Sequence, residues 1–186
     1  PAKRFQELCQ GSLEVAVTAY CGDNYFAEHE SDALASILEV ARKYGVSMLV
    51  AGPAFGAGRY GFACVEICHF LNVSLNIPCI SGMSVESPGV ELYKQYKDKG
   101  VFLIPTSEAV SGMGEALSKM ARFASKVVKG EAIGPAPEEG YIPRGFRLDA
   151  VVDKTGAERA VDILLDKLAG RTFATEIPIE TLEGIP

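Results

Sequence analysis

The residues Gly56-Ala57-Gly58-Arg59-Tyr60-Gly61 have the spacing G-x-G-x-x-G, placed after an apolar run and ahead of a helical pattern. Glycines so spaced allow a tight turn, and a helix starting behind them offers N–H groups and a positive dipole end to an anion. Two ligands suit such a loop: the pyrophosphate of a dinucleotide, or a small carboxylate or phosphate. The dinucleotide form expects an acid about 20 residues on, at the end of the next strand. Ser81-Gly82-Met83 stand there, and the first acid is Glu86. The motif also follows the second expected strand, whereas a dinucleotide fold carries it after the first. The favoured reading is a small anion held by backbone N–H groups and the Arg59 guanidinium; a plain tight turn with a surface arginine is the alternative without function.

Other chemistry-bearing residues fall at comparable places. Asp23 and Asn24 follow the first expected strand, Phe55 and Gly56 end the second, and Met83 and Glu86 follow the third. With Gly58, Arg59, Tyr60 and Gly61 they form the expected substrate-binding set, and no catalytic residue is assigned. Cys64 and Cys68 share a helix face and His69 follows, but His69 points about 100° away from Cys68 and no fourth zinc ligand pattern appears, so buried inert thiols are expected. Cys21, at a strand end, has no base near it in sequence. Glu138, Glu139, Tyr141 and Arg144 form a polar cluster that reads as a solvated loop, a lid or a partner contact. No Ser/His/Asp set, metal-ligand spacing or P-loop emerges.

The elements that must position these residues are legible from periodicity. Residues 13–20 (LEVAVTAY) alternate and read as a strand. Residues 47–55, 77–81 and 101–105 are further strands, and residues 47–55 begin as a continuous apolar run typical of burial on both faces. Between them, residues 31–45, 62–71 and 88–97 read as helices, and residues 114–129 form a strongly amphipathic one. Residues 156–168 form a last helix, and residues 173–186 an extended tail. Strand and helix alternating in this way predict an α/β fold: a parallel sheet of about four strands, helices on both faces, and an extended C-terminal arm. Two regions are expected, an α/β ligand-loop domain over residues 1–130 and, over 131–186, an irregular arm, final helix and tail packing on it or on a partner. In such sheets ligands bind beyond the carboxyl ends of the strands.

Composition narrows the function classes. The 186 residues are 48% hydrophobic and 23% charged, ordinary for a globular chain. A net charge of −6 without clustered Lys/Arg disfavours nucleic acid and anionic membrane as partners. No run reaches the ~18 apolar residues of a membrane helix, and no signal-peptide core follows the N-terminus, so a cytoplasmic location is expected. Five cysteines, an odd number mostly within apolar runs, fit reduced thiols. The chain starts at Pro1, which suggests processing or a piece of something longer.

Several stretches together resemble the selenoprotein subunit, component B, of the glycine, sarcosine and betaine reductases: CGDNYFAE at residues 21–28, AGPAFGAGRYGFAC at 51–64, IPCISGM and ESPGVELY within 77–93, SGMGEALSKMARFASKVVKGE at 111–131, PEEGYIPRGFR at 137–147 and GAERAVDILLDKLAGRTFATEIPI at 156–179. The resemblance covers nearly the whole chain in order. It departs at Gly56, where the family has Asn, and at Ser84 and Ser87, where an aromatic residue and Asn are expected. The resemblance implies an N-terminal half of a reductase subunit. The reactive selenocysteine and its nearby cysteines would lie in the following half, and the pyruvoyl group in another subunit, so no cofactor is expected in this chain. The implied partners are other reductase subunits or a Sec/Cys-containing second half, with a small carboxylate or betaine as substrate and an oligomer as the assembly. The implied reaction is reductive C–N cleavage by selenolate attack, with dithiol electrons restoring the system. Two readings of other classes stand beside it: a binding or assembly subunit without chemistry, and a dinucleotide-dependent oxidoreductase.

Overall fold

The computed structural model describes residues 2–145 and 154–173. The chain forms two compact units, Pro1–Phe146 and Arg147–Pro186.

The first unit is built on three parallel strands, β1 (Leu49–Phe55), β2 (Cys79–Met83) and β3 (Val101–Pro105), in the order β1-β2-β3. Leu49 lies opposite Cys79, and Cys79 opposite Val101. Every residue of β2 is buried, as a central strand covered on both faces requires. The pleat sorts its side chains between two cores. Cys79 and Met83 of β2 and Val101 and Leu103 of β3 join one cluster, while Ile80, Phe102 and Ile104 join the other.

Helices cover both faces. The chain runs through α1 (Ala2–Leu8), α2 (Asp23–Glu28), α3 (Glu30–Lys43), α4 (Gly58–Leu75), α5 (Gly89–Tyr96), a 3₁₀ turn at Val110–Gly112, α6 (Met113–Val128) and α7 (Ala136–Glu139). The first cluster takes Ala41 of α3, Cys64, Val65, Cys68 and Leu71 of α4, and Val90 and Tyr93 of α5. The second takes Phe5 of α1 and Leu117, Met120, Ala121 and Ala124 of α6. A fully buried Leu or Met such as Leu71 or Met120 contributes about 1.5–3 kcal/mol over leaving it exposed.

The α/β class and the parallel sheet are as expected, with one strand fewer among the described residues. Residues 13–20 belong to no helix and form no ladder. Their alternation fits a pleat, yet a strand also needs a neighbouring edge to bond. The nearest edge, that of β1, lies across a crevice of about 460 Å³ lined by both segments. Leu13 and Val15 pack on the second core, and the Gln6 side chain takes up their backbone: its Nε2 donates to Leu13 O at 2.7 Å and its Oε1 accepts from Val15 N at 2.5 Å. Of residues 21–24, expected as a turn, Asp23 and Asn24 are the first two residues of α2.

Residues 131–145 are ordered onto the first unit. The Ile142 N–H bonds Leu103 O at 2.7 Å, so the arm covers part of the outer edge of β3. The Arg144 guanidinium lies 4.7 Å from the Phe102 ring centroid and 5.4 Å from that of Tyr141, and donates to Asp98 O at 3.1 Å. Glu139 pairs with Lys126 at 2.6 Å and accepts from Gly134 N at 2.9 Å.

The second unit contains α8 (Gly156–Leu168), begun by a capping box in which Thr155 and Glu158 satisfy each other's backbone N–H. The expected extended tail lies, apart from residue 173, outside the described residues.

Candidate functional site

The loops after β1, β2 and β3 are stitched together by backbone. Ser84 N donates to Phe55 O at 2.9 Å, Thr106 N to Met83 O at 3.0 Å, and Gly56 N to Glu108 O at 3.0 Å. The carboxyl ends of the strands therefore make one surface. Phe55 is buried and holds φ at +52°, a left-handed conformation unfavourable for a bulky side chain. It turns the chain sharply from β1 into α4.

Gly58, Arg59 and Tyr60 are the first residues of α4. Ala57 N is bonded to Ala54 O at 3.0 Å, and Gly61 N to Ala57 O at 2.8 Å. Among the described residues, the N–H groups of Gly58, Arg59 and Tyr60 have no backbone acceptor. Behind them stands an 18-residue helix whose dipole favours negative charge at this end.

Arg59 is exposed and its Nη1 donates to Asn24 Oδ1, which joins the start of α4 to α2. Asp23 opens α2 beside it, its Oδ1 accepting from Asn24 N at 3.0 Å. The structure thus brings Asp23, Asn24, Arg59 and the amides of residues 58–60 into one polar corner. Tyr60, 37% exposed, lies at the edge of that corner.

Other members of the expected set serve the architecture. Gly61 touches the loop after β2: a Cβ there would meet Ser87 Oγ at 2.6 Å. Gly58 faces Pro88, with 3.8 Å from its Cβ position to Pro88 Cγ, and Gly56 faces Glu108 O at 3.4 Å. Of these contacts, that at Gly61 is too close for any side chain, while those at Gly58 and Gly56 are ordinary van der Waals distances. Met83 is fully buried, and Glu86 is exposed in the turn after β2, its N–H donating to Ser84 Oγ at 3.3 Å.

Sequence reasoning missed a group beneath this surface. Tyr60 and Cys64 stand one helical turn apart on α4, and Ser81 of β2 faces Cys64. Burial pushes the Cys64 thiol up to about 11, the Ser81 and Tyr60 hydroxyls drawing it partly back. Burial, then the Cys64 thiol, pushes Tyr60 up to about 12. Both groups are therefore neutral near pH 7. The i, i+4 spacing was a visible signal; the approach of Ser81 was not. Ser81 Oγ and Ser87 Oγ are buried without a well-formed hydrogen bond.

His69 sits toward the opposite end of the sheet. Its Nδ1 is 2.7 Å from Asp98 Oδ2 and its ring stacks on Tyr96 at 3.8 Å between centroids. Cys68 is fully buried, so the two do not meet as ligands. Among the described residues no group of three or more His, Cys, Asp or Glu gathers where a metal ion could be held. Among them, too, no helix is long and apolar enough to cross a membrane.

Residues 1–186 match a family model described as glycine/sarcosine/betaine reductase selenoprotein B. The chain is 44% identical over 186 residues to the glycine reductase complex component B subunit gamma of Carboxydothermus hydrogenoformans, covering 100% of this chain and 42% of that protein. It is 39% identical over 173 residues to the sarcosine reductase complex component B subunit beta of Peptoclostridium acidaminophilum, covering 93% of this chain and 39% of that protein. It is 40% identical over 168 residues to the betaine reductase complex component B subunit beta of the same organism, covering 89% and 38%. The chain thus spans about two-fifths of the length of these relatives. No solved structure matches. A match along its whole length to a single family model, with the strand-end loops inside the matched stretches, means that this chain belongs to the glycine/sarcosine/betaine reductase selenoprotein B family.

Proposed function

We propose that this chain supplies the substrate-side loops of a component B-type subunit in a complex that reductively cleaves the C–N bond of glycine or one of its N-methylated forms. The observation that carries the reading is the polar corner at the start of α4, which lies on stretches matched to relatives named for glycine, sarcosine and betaine reductases. Those three compounds share a carboxylate and differ in N-methylation. A common carboxylate site is therefore the economical design, with the nitrogen recognised separately.

In this reading the amides of Gly58, Arg59 and Tyr60 and the Arg59 guanidinium receive the carboxylate. Asn24 fixes the guanidinium by its hydrogen bond, leaving other N–H groups of the fork for the ligand. Asp23 and Glu86 supply negative charge for the nitrogen end, and the Tyr60 ring offers a face to it. Phe55, Gly56, Gly61 and Met83 hold the loops in place. In this reading the selenocysteine for which the family is named lies elsewhere in the assembly and supplies the bond-breaking group. When present, selenocysteine supplies the nucleophile and carries the product group, and the pyruvoyl group belongs to another subunit. Partners are accordingly other subunits of the complex or a Sec/Cys-containing second half of this one, in an oligomeric assembly.

Calorimetric titration of glycine, sarcosine and betaine into the assembled subunit tests the site. A charge-assisted contact contributes about 1.5–3 kcal/mol, so Arg59→Lys weakens binding of the true carboxylate ligand about ten-fold or more while the melting temperature stays nearly unchanged. Equal affinity in the two proteins removes Arg59 from the site.

A further inference from the structure

The crevice of about 460 Å³ lies in the plane of the sheet, with residues 13–21 on one side and residues 45–52 on the other. Ile37 of α3 and Leu71 of α4 reach it from one layer, Phe5 of α1 and Leu117 of α6 from the other. This is the position a β-strand occupies in a three-layer α/β fold. Both walls have strand chemistry to offer. Leu49 N donates to Pro78 O at 3.1 Å, so by ladder alternation the N–H and C=O of Val50 point away from β2, toward the crevice. Among the described residues, residues 16–20 make no backbone hydrogen bond.

Chain handedness says where such a strand comes from. The crossovers β1–α4–β2 and β2–α5–β3 move across the sheet in one direction with their helices on the first core's face. The passage from residues 13–20 through α3 to β1 moves the same way on the same face. Helix α1, which leads into residues 13–20, packs on α6 on the opposite face. A right-handed crossover through α1 must therefore start from β1's side of residues 13–20. The open position there is the crevice.

We propose that the crevice receives one apolar strand, parallel to β1, from the polypeptide immediately ahead of α1 in the intact subunit. The relatives have length for it outside the matched region, since this chain spans 42% of one of them. The strand completes a five-position sheet in which residues 13–20 become a true edge strand and β1 an interior one. It also places the start of α4 at a topological switch point, because the new strand is followed by a helix on one face and β1 by a helix on the other. The tail at residues 174–186 is a poor occupant, since Pro178 removes a ladder donor from a central strand.

Hydrogen–deuterium exchange tests this without reference to ligand binding, so failure of the substrate reading leaves the result intact. The 186-residue chain is compared with a product extended by the residues encoded before Pro1 and with one extended after Pro186. The N-terminal extension slows exchange at Val50 and at residues 16–20 by at least about 100-fold, while the β2–β3 ladder is equally protected in all three and reports an intact fold. Full protection already present in the 186-residue chain overturns the proposal, with its concentration dependence separating direct pairing from a second copy. Protection supplied by the C-terminal extension alone, or by neither extension, also overturns it, as does a reading frame that encodes no strand-forming segment before Pro1.

Discussion

Arg59 was visible from its position behind glycines, but its partner Asn24 lies 35 residues away and no periodicity joins them. One of the glycines that the pattern assigns to a ligand is explained by contact with the chain itself. At Gly61 the space for a Cβ ends at Ser87 Oγ, 2.6 Å away. Gly61→Ala therefore overpacks the loop and is expected to cost about 1–3 kcal/mol. Ser87→Ala removes a buried hydroxyl that lacks a well-formed bond, and is expected to be neutral or stabilising. The double variant recovers much of the loss, because the clash is between those two groups. Urea unfolding of the four proteins measures the coupling; strict additivity of the two changes disproves the contact. The Tyr60–Cys64 pair makes a prediction in pH. The ordinary values of 9.0 for Cys64 and 10.0 for Tyr60 rise to about 11 and about 12 in the fold. The unfolded chain thus ionises first, and stability, fully present below pH 9, falls as pH rises through 9 to 12. Cys64→Ala with Tyr60→Phe flattens that fall, which denaturation midpoints at pH 8 and pH 10.5 would show.

Elements were legible where hydrophobic period and terminal signals agreed. β3 and α8 occupy the expected residues, and α3 and α6 begin within one residue of them. α1 and α2 were missed: at 7 and 6 residues they are too short for a period to show, and α2 has no side-chain cap. α4 begins earlier than expected because its first turn holds Gly58 and Gly61, poor helix formers that masked the period, and Gly61 is required there by its approach to Ser87. Residues 13–20, read as a strand, form no ladder among the described residues, since pairing depends on a neighbour that sequence periodicity does not report. α8 carries Val161, Leu164, Leu165 and Leu168 along one stripe, and none of its residues is buried. Such a stripe on a capped helix is an apolar face that a packing partner would cover. Leu164→Glu with Leu168→Glu is expected to reduce association seen by light scattering while far-UV circular dichroism keeps its helical signal. Thr155→Ala does the reverse, lowering helix stability by about 1 kcal/mol through loss of the cap.

At the scale of the whole molecule, both cores of the sheet are built from residues between Phe5 and Ile142. Residues 131–145 belong with the sheet, since Ile142 bonds Leu103 and Arg144 lies over Phe102. The boundary of the first unit at Phe146 follows these contacts, where composition alone suggested a change of texture near residue 130. Removal of residues 147–186 should therefore leave the main cooperative transition in place. The truncated chain keeps both faces of the sheet covered, so it is expected to melt within about 4 °C of the full chain, the shift that about 1 kcal/mol produces in a domain of this size. The unfolding enthalpy should fall only by the small share of the removed unit, because enthalpy tracks buried structure more than chain length. Differential scanning calorimetry of the two proteins, with near-UV circular dichroism to report tyrosine packing, decides the point. A drop of ten degrees or more, or loss of the near-UV signal, means that the second unit completes the first core. An unchanged transition accompanied by loss of association assigns the second unit to assembly and the first to the ligand loops.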